Sequence, residues 1–169
     1  NYDLAATDPR TFTRTVTVRA TGADIPMVVA CTDGGSGTLV AWQEMASKRA
    51  GWLRVQHLRE NGDLDPAWAA EGALADSEPN ARTFIDLVPD YLGGAYVLWV
   101  EVGVPRSLYV TRIDATGQVA SGWPATGRFL SAANATLGRP HAIGDGAHGL
   151  YVAWTSGPYI YAEQLGPDG

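Results

Sequence analysis

Six residues recur three times in this chain. "GTLVAW" stands at residues 37–42, "GAYVLW" at 94–99 and "GLYVAW" at 149–154. The interval from Trp42 to Trp99 is almost the same as that from Trp99 to Trp154. The second interval also joins Trp68 to Trp123, Gly72 to Gly127 and Gly62 to Gly117. Self-similarity at a fixed spacing is the signature of a repeat architecture, in which one unit cannot bury its apolar face alone. The chain must therefore stack copies of one supersecondary unit.

Each unit follows one order. A Gly-rich turn leads into an apolar run ending in Trp. A polar turn and an alternating segment follow, such as "WLRVQHLR" or "SLYVTRID". A turn closing on Gly comes next ("RENG", "DATG", "GPDG"), then Trp and, four residues later, Gly ("WAAEG", "WPATG"). Alternation with Val, Ile, Tyr and Trp in the runs predicts strands. Gly, Asn, Asp and Pro between them predict tight turns. The one helical candidate, "PAWAAEGALADSEP", is broken by Gly72 and flanked by prolines, which favours a loop and a short strand. The expectation is an all-β chain with three or four antiparallel strands per unit, and four strands in about 50 residues is the size of a propeller blade.

These residues resemble a family of bacterial, mostly extracytoplasmic β-propeller repeats with a "DGxGGxxVAW" core and a downstream "DxxGxxxW…G". The matching stretches are "DGGSGTLVAW" (33–42), "YLGGAYVLW" (91–99) and "DGAHGLYVAW" (145–154), followed by "RENGDLDPAWAAEG" (59–72) and "DATGQVASGWPATG" (114–127). The resemblance covers about residues 26–169. It implies a fold and an extracytoplasmic setting, periplasmic or secreted, and no particular activity.

Residues 1–169 read as a single repeat domain with units at 1–25 (partial), 26–78, 79–139 and 140–169 (partial), roughly three and a half blades. "VTVRATG" (16–22) resembles "VTRIDATG" (110–117), and "YDLAATDP" (2–9) echoes "YVAWTSGP" (151–158) with Ala5 in place of Trp. The chain starts with Asn1 rather than Met, as expected of a removed leader or a piece of something longer. An open stack leaves apolar faces and strand edges in water. Further blades, a second copy or another protein is therefore expected to close the array. The alternative is a compact sandwich-like domain capped by residues 1–32.

Composition removes several function classes. The net charge of −6 disfavours nucleic acid. No apolar run approaches the roughly 20 residues of a membrane span, although attachment to a membrane assembly stays open. The single cysteine, Cys31, permits no internal disulfide and reads as a small apolar side chain. Glu44 and Glu101 each lie two residues past a Trp, with Arg49 and Arg106 five residues later. A carboxylate pair is what a glycosidase needs, but repetition favours Glu–Arg pairs bracing hairpin turns. "NGDLD" (61–65) lacks the ligand alternation of a calcium loop and reads as a tight turn. His57, His141 and His148 have no metal spacing. "NAT" at Asn134 is a sequon by spelling only. No catalytic, cofactor or metal site is expected.

Of the six tryptophans, Trp42, Trp99 and Trp154 are expected in the repeat core. Trp68 and Trp123, in loop-like segments, either plug a unit or offer a partner surface. Trp52, with Leu108 as its counterpart, is the odd one out and also a partner-surface candidate. The leading expectation is a non-catalytic protein-binding or scaffolding module, with a place as an extrinsic subunit of a larger assembly open to it. The alternatives are a carbohydrate-binding propeller and a propeller hydrolase acting through Glu44 and Glu101.

Overall fold

The computed structural model describes residues 15–133 and 137–169. The echo at residues 2–9 and the sequon at Asn134 lie outside the described residues. Eleven strands and no helix are found among the described residues. They are β1 (Met27–Thr32), β2 (Thr38–Met45), β3 (Gly51–Leu58), β4 (Ala73–Leu74), β5 (Arg82–Pro89), β6 (Ala95–Glu101), β7 (Arg106–Ile113), β8 (Arg128–Ala133), β9 (His141–Gly144), β10 (Leu150–Ser156) and β11 (Tyr159–Leu165). The chain is all-β, as expected.

The strands form three antiparallel sheets, β1–β4, β5–β8 and β9–β11, each ordered as in the chain. β1 lies beside β5, and β5 beside β9, so the sheets follow one another face to face. They do not close on themselves. One apolar cluster joins Leu39, Ala41, Leu53 and Val55 of the first sheet to Ile85, Leu87, Val97 and Trp99 of the second. A second joins Val88, Tyr96, Leu98, Leu108 and Val110 of the second to Leu150, Val152 and Trp154 of the third. Alternate residues of a strand point to opposite faces. That is why β6, "AYVLWVE", reads as an unbroken apolar run: it is covered on both sides, and its first six residues are buried. In β10, "LYVAWTS", Leu150, Val152 and Trp154 are buried and their neighbours are not, because only one face is covered.

The hydrogen bonds correct one repeat assignment. The Met45 N–H donates to the Asp24 carbonyl at 3.0 Å, and the Val102 N–H donates to the Ala81 carbonyl at 2.7 Å. Donor and acceptor of the second bond are each displaced from those of the first by the Trp42-to-Trp99 interval. Counted back from those bonds, residues 16–22 stand at the positions of residues 73–79, the short β4 and the link to the next sheet. They do not take the place of a third strand such as residues 110–117. Composition misled here, because "VTVRATG" has the alternation of a strand while none of residues 16–22 lies in one.

Candidate functional site

The most regular feature is the turn between the first two strands of each sheet. Asp33, Asp90 and Asp145 each aim one carboxylate oxygen back at their own turn. Oδ1 of Asp33 accepts from the Gly35 and Gly37 N–H groups at 2.7 and 3.1 Å. Oδ1 of Asp90 accepts from Leu92 and Gly94 at 2.7 and 2.8 Å, and that of Asp145 from Ala147 and Gly149 at 2.7 and 2.9 Å. The other oxygen faces the third strand of the same sheet. Asp33 meets His57 Nε2 at 3.1 Å. Asp90 accepts Arg112 Nε and Nη2 at 3.0 and 2.8 Å. Asp145 accepts Gln164 Nε2 at 3.2 Å. His57, Arg112 and Gln164 stand opposite Leu39, Tyr96 and Tyr151 in the ladders, so they occupy one position of the unit.

Gly94 is required at this clamp. A Cβ there would run into the Ile113 carbonyl and the Asp90 carboxylate. Burial pulls the Asp33 carboxyl up, but the Gly35 and Gly37 N–H groups and His57 outweigh it and hold it below the usual carboxylate range. The Asp145 carboxyl is also lowered, first by the Ala147 N–H. The Asp33 clamp continues through His57, whose Nδ1 lies 3.0 Å from Asp65 Oδ2. Asp65 Oδ1 in turn accepts from Arg59 and the Ala67 N–H, and this lowers its carboxyl too, the Ala67 N–H most.

Trp68 and Trp123 tie each unit to the next. The Trp68 indole N–H donates to the Ala115 carbonyl at 3.1 Å, and that of Trp123 to the Pro167 carbonyl at 2.9 Å. Ala115 and Pro167 both follow the first residue of the turn closing on Gly. The two indoles are 4% and 7% exposed, which leaves almost no ring surface for a partner. Trp42 and Trp99 lie against Gly72 and Gly127, where a Cβ would strike the ring. That is the physical meaning of the Gly four residues past each loop Trp. Trp154 is buried in the second cluster and stacks on Tyr161 at 5.8 Å. Trp52 is half-buried. It stands opposite Glu44, whereas Ser107 stands opposite Glu101, so the counterpart of Trp52 is Ser107 and not Leu108.

The carboxylates at the ends of the Trp strands do not pair as their spacing suggested. Glu44 binds Arg19, with Nε and Nη2 at 2.9 and 3.0 Å, and lies 3.6 Å from Arg54 Nε. The Arg19 guanidinium is the main cause of its lowered pKa. Glu101 accepts from Asn80 Nδ2 at 2.8 Å and from the Trp99 indole at 3.2 Å. Arg49 and Arg106 are exposed on the hairpins. Glu44 shares the side of β2 that carries Trp42, away from the second sheet. Glu101 shares the side of β6 that carries Trp99, toward the first sheet. The first sheet therefore stands between the two carboxyls, and they share no cleft.

Below Glu101 lies a buried ion pair. Arg82 Nη2 meets Asp76 Oδ2 with both side chains inaccessible, and the guanidinium lies 5.8 Å from the Trp99 ring. Burial lowers the Arg82 pKa, against the pull of Asp76.

The remaining candidates have local partners. The Asn61 side chain bonds the Asp63 backbone and carboxylate, as a turn residue does. No group of three or more metal-ligating residues is arranged around a point among the described residues. His148 Nδ1 meets the Asp90 carbonyl at 3.1 Å, and His141 is exposed on β9. The Cys31 thiol is pushed up to about 12 by burial, assisted by Asp86 and Asp33. No helix among the described residues is long and apolar enough to cross a membrane.

Among the described residues, the outer faces of the first and third sheets carry exposed apolar side chains, and on the first sheet residues 16–19 lie beside Val28, Val40 and Trp42. On the third sheet Ile143, Tyr151 and Ile160 are 67%, 46% and 82% exposed, all on the face away from the second sheet. On the first sheet Val28 is 64% exposed, on the face away from the second sheet, beside exposed Ala30 and half-buried Val40. Comparison with protein-family models, curated proteins and solved structures finds no match for this chain.

Proposed function

We propose that this chain is a non-catalytic scaffolding module of β-propeller type. Its three sheets are successive blades, and its free third-sheet face docks the first-sheet face of a second copy. One observation carries the reading: each free face repeats a side that is already covered inside the molecule. Ile143 and Tyr151 pair in the ladder as Val88 and Tyr96 do one sheet earlier, and Val88 and Tyr96 are buried against the third sheet. Val28, Ala30 and Val40 stand one Trp42-to-Trp99 interval before Ile85, Leu87 and Val97, which are buried against the first sheet. The link at residues 16–22 does not obstruct docking, because its equivalent at 73–79 is present at the internal interface as well. Such a contact is head-to-tail, and head-to-tail contacts make rings when the rotation closes. Two copies bring six sheets together, inside the propeller range of about four to eight. The resemblance to extracytoplasmic repeats supports a place in an assembly outside the cytoplasm.

Light scattering across a concentration series tests this. The wild-type chain is expected to gain mass with concentration, and Ile143→Glu with Ile160→Glu is expected to stay at monomer mass. Equal behaviour of the two proteins would defeat the reading.

A second reading, carbohydrate binding, draws on a different observation. Exposed Tyr159 and Tyr161 lie edge to face at 6.3 Å, and Tyr161 stacks on Trp154, giving an aromatic ledge of the kind that receives sugar rings. A glycan array with the Tyr159→Ala variant as control separates it from the first.

A further inference from the structure

The third sheet is one strand short. The first sheet ends on β4 and the second on β8, but among the described residues the third has no strand beyond β11. Tyr159, Ile160, Tyr161 and Ala162, which open β11, are all exposed. A strand edge in water presents a row of backbone N–H and C=O groups and is a template for a further strand.

The other sheets show where that strand would lie. β4 runs beside β3 with Leu74 opposite Arg54 and Ala73 opposite Val55, and the Ala75 N–H donates to the Leu53 carbonyl at 2.9 Å. Arg54 and Tyr161 hold one position of the unit, because they stand opposite Trp42 and Trp154. Leu53, Leu108 and Ile160 likewise share a position, opposite Gln43, Val100 and Thr155. Leu53 and Leu108 are fully buried, whereas Ile160 is exposed.

A segment of the β4 type stands at the other end of the molecule. On the outer side of the first sheet, Val16 and Val18 line a hollow of about 310 Å³ together with Val28, Val40 and Trp42. Moved on by the Trp42-to-Trp99 interval, these five residues fall on Ala73, Ala75, Ile85, Val97 and Trp99, all members of the cluster between the first and second sheets. Residues 16–18 therefore already stand against the first sheet as residues 73–75 stand against the second. Inside the molecule Leu53 and Val55 complete that cluster. The walls of the hollow include no counterpart of those two, and the residues at their positions in the third sheet are exposed Ile160 and Ala162.

We infer that residues 16–18 of one copy add to the β11 edge of another as the fourth strand of its third sheet, with Ile160 seated in the hollow. This rests on the docking of two copies argued above and specifies the joint between them. In the register of β4, Thr17 stands opposite Tyr161 and Val16 opposite Ala162, and the Val18 N–H donates to the Ile160 carbonyl. The second sheet separates the two ends within one chain, so the strand comes from another copy. Backbone hydrogen bonds at the edge then fix the register of two faces that apolar contact alone would leave free to slide.

Cysteine cross-linking in a Cys31→Ser chain tests this. Ala75 and Leu53 form a hydrogen-bonded pair, so Leu74 and Arg54 form a non-hydrogen-bonded one, in which side chains come closer. The equivalent pair is Thr17→Cys with Tyr161→Cys. Under mild oxidation it is expected to give about tenfold more reducible dimer than Thr17→Cys with Tyr159→Cys, a control two residues out of register, because a disulfide tolerates little displacement. Val16→Cys with Ala162→Cys, one step along the ladder, supplies the answer where loss of Tyr161 disturbs its stack on Trp154. Light scattering on the same samples reports association. Association without cross-linking of either in-register pair, or with equal cross-linking of the control, would overturn the strand exchange and leave the scaffolding reading in place. Monomer mass at every concentration would overturn both.

Discussion

At the residue scale, the Asp clamps are the densest use of chemistry in the molecule. A single carboxylate closes its own turn through two backbone N–H groups and fastens that turn to the third strand. The clamp has a pH signature. The Asp33 carboxyl lies below its ordinary range in the fold, so its contribution is fully present above the unfolded value near 4. That contribution is lost as the pH falls through the folded value. Asp65 and Glu44 are lowered in the same sense. Denaturant melts at pH 7 and pH 3 should therefore show the wild type losing stability in acid. Asp33→Asn should be less stable at pH 7 and lose less between the two. An equal loss in both proteins would remove Asp33 from the acid response. Asp33 and Asp145 open the matched stretches at 33–42 and 145–154, but the stretch matched at 91–99 began after Asp90, and the second partner of each Asp was not legible. His57, Arg112 and Gln164 share no chemistry as letters, and only the strand ladder places them at one position. The Glu–Arg hairpin pairs failed for a related reason. Spacing along the chain brought Arg49 near Glu44, while the link brought Arg19 nearer.

At the element scale, the tryptophans do two jobs that their shared residue type conceals. Trp42, Trp99 and Trp154 belong to the strands, and Trp99 is fully buried between two sheets. Trp68 and Trp123 belong to the links and bond the following unit. The strand tryptophans were legible as core because they end an apolar run. The destination of the link tryptophans was not, since the accepting carbonyl of Ala115 lies 47 residues away from Trp68. The two roles separate energetically. Trp99→Ala should destabilise by about 3–5 kcal/mol, as deletion of large buried aromatics does. Trp68→Phe keeps most of the ring and loses the indole hydrogen bond to the carbonyl of exposed Ala115, and should cost about 0.5–1.5 kcal/mol. Chemical denaturation of the two variants checks both values. A smaller loss for Trp99→Ala than for Trp68→Phe would reverse the assignment of core and tie.

At the scale of the whole molecule, the three sheets bury two apolar clusters between them, and among the described residues the outer faces of the first and third expose apolar side chains. The period in the sequence led to an expectation of about three and a half units, three sheets are found among the described residues, and the alternation within "LYVAWTS" against the unbroken run in "AYVLWVE" tells which sheet is in the middle. The free faces follow from the period itself. Residues one interval apart do the same work, so Val28 and Ala30 are exposed only where nothing has yet stacked. Exposed apolar area of this kind marks an interaction surface. Hydrogen exchange at rising protein concentration reads that surface directly. Association through the proposed faces should slow exchange in β1 and in β9–β11 while leaving β5–β8, already covered on both sides, unchanged. Exchange in β9–β11 that does not change with concentration, or slowing confined to other strands, would contradict it.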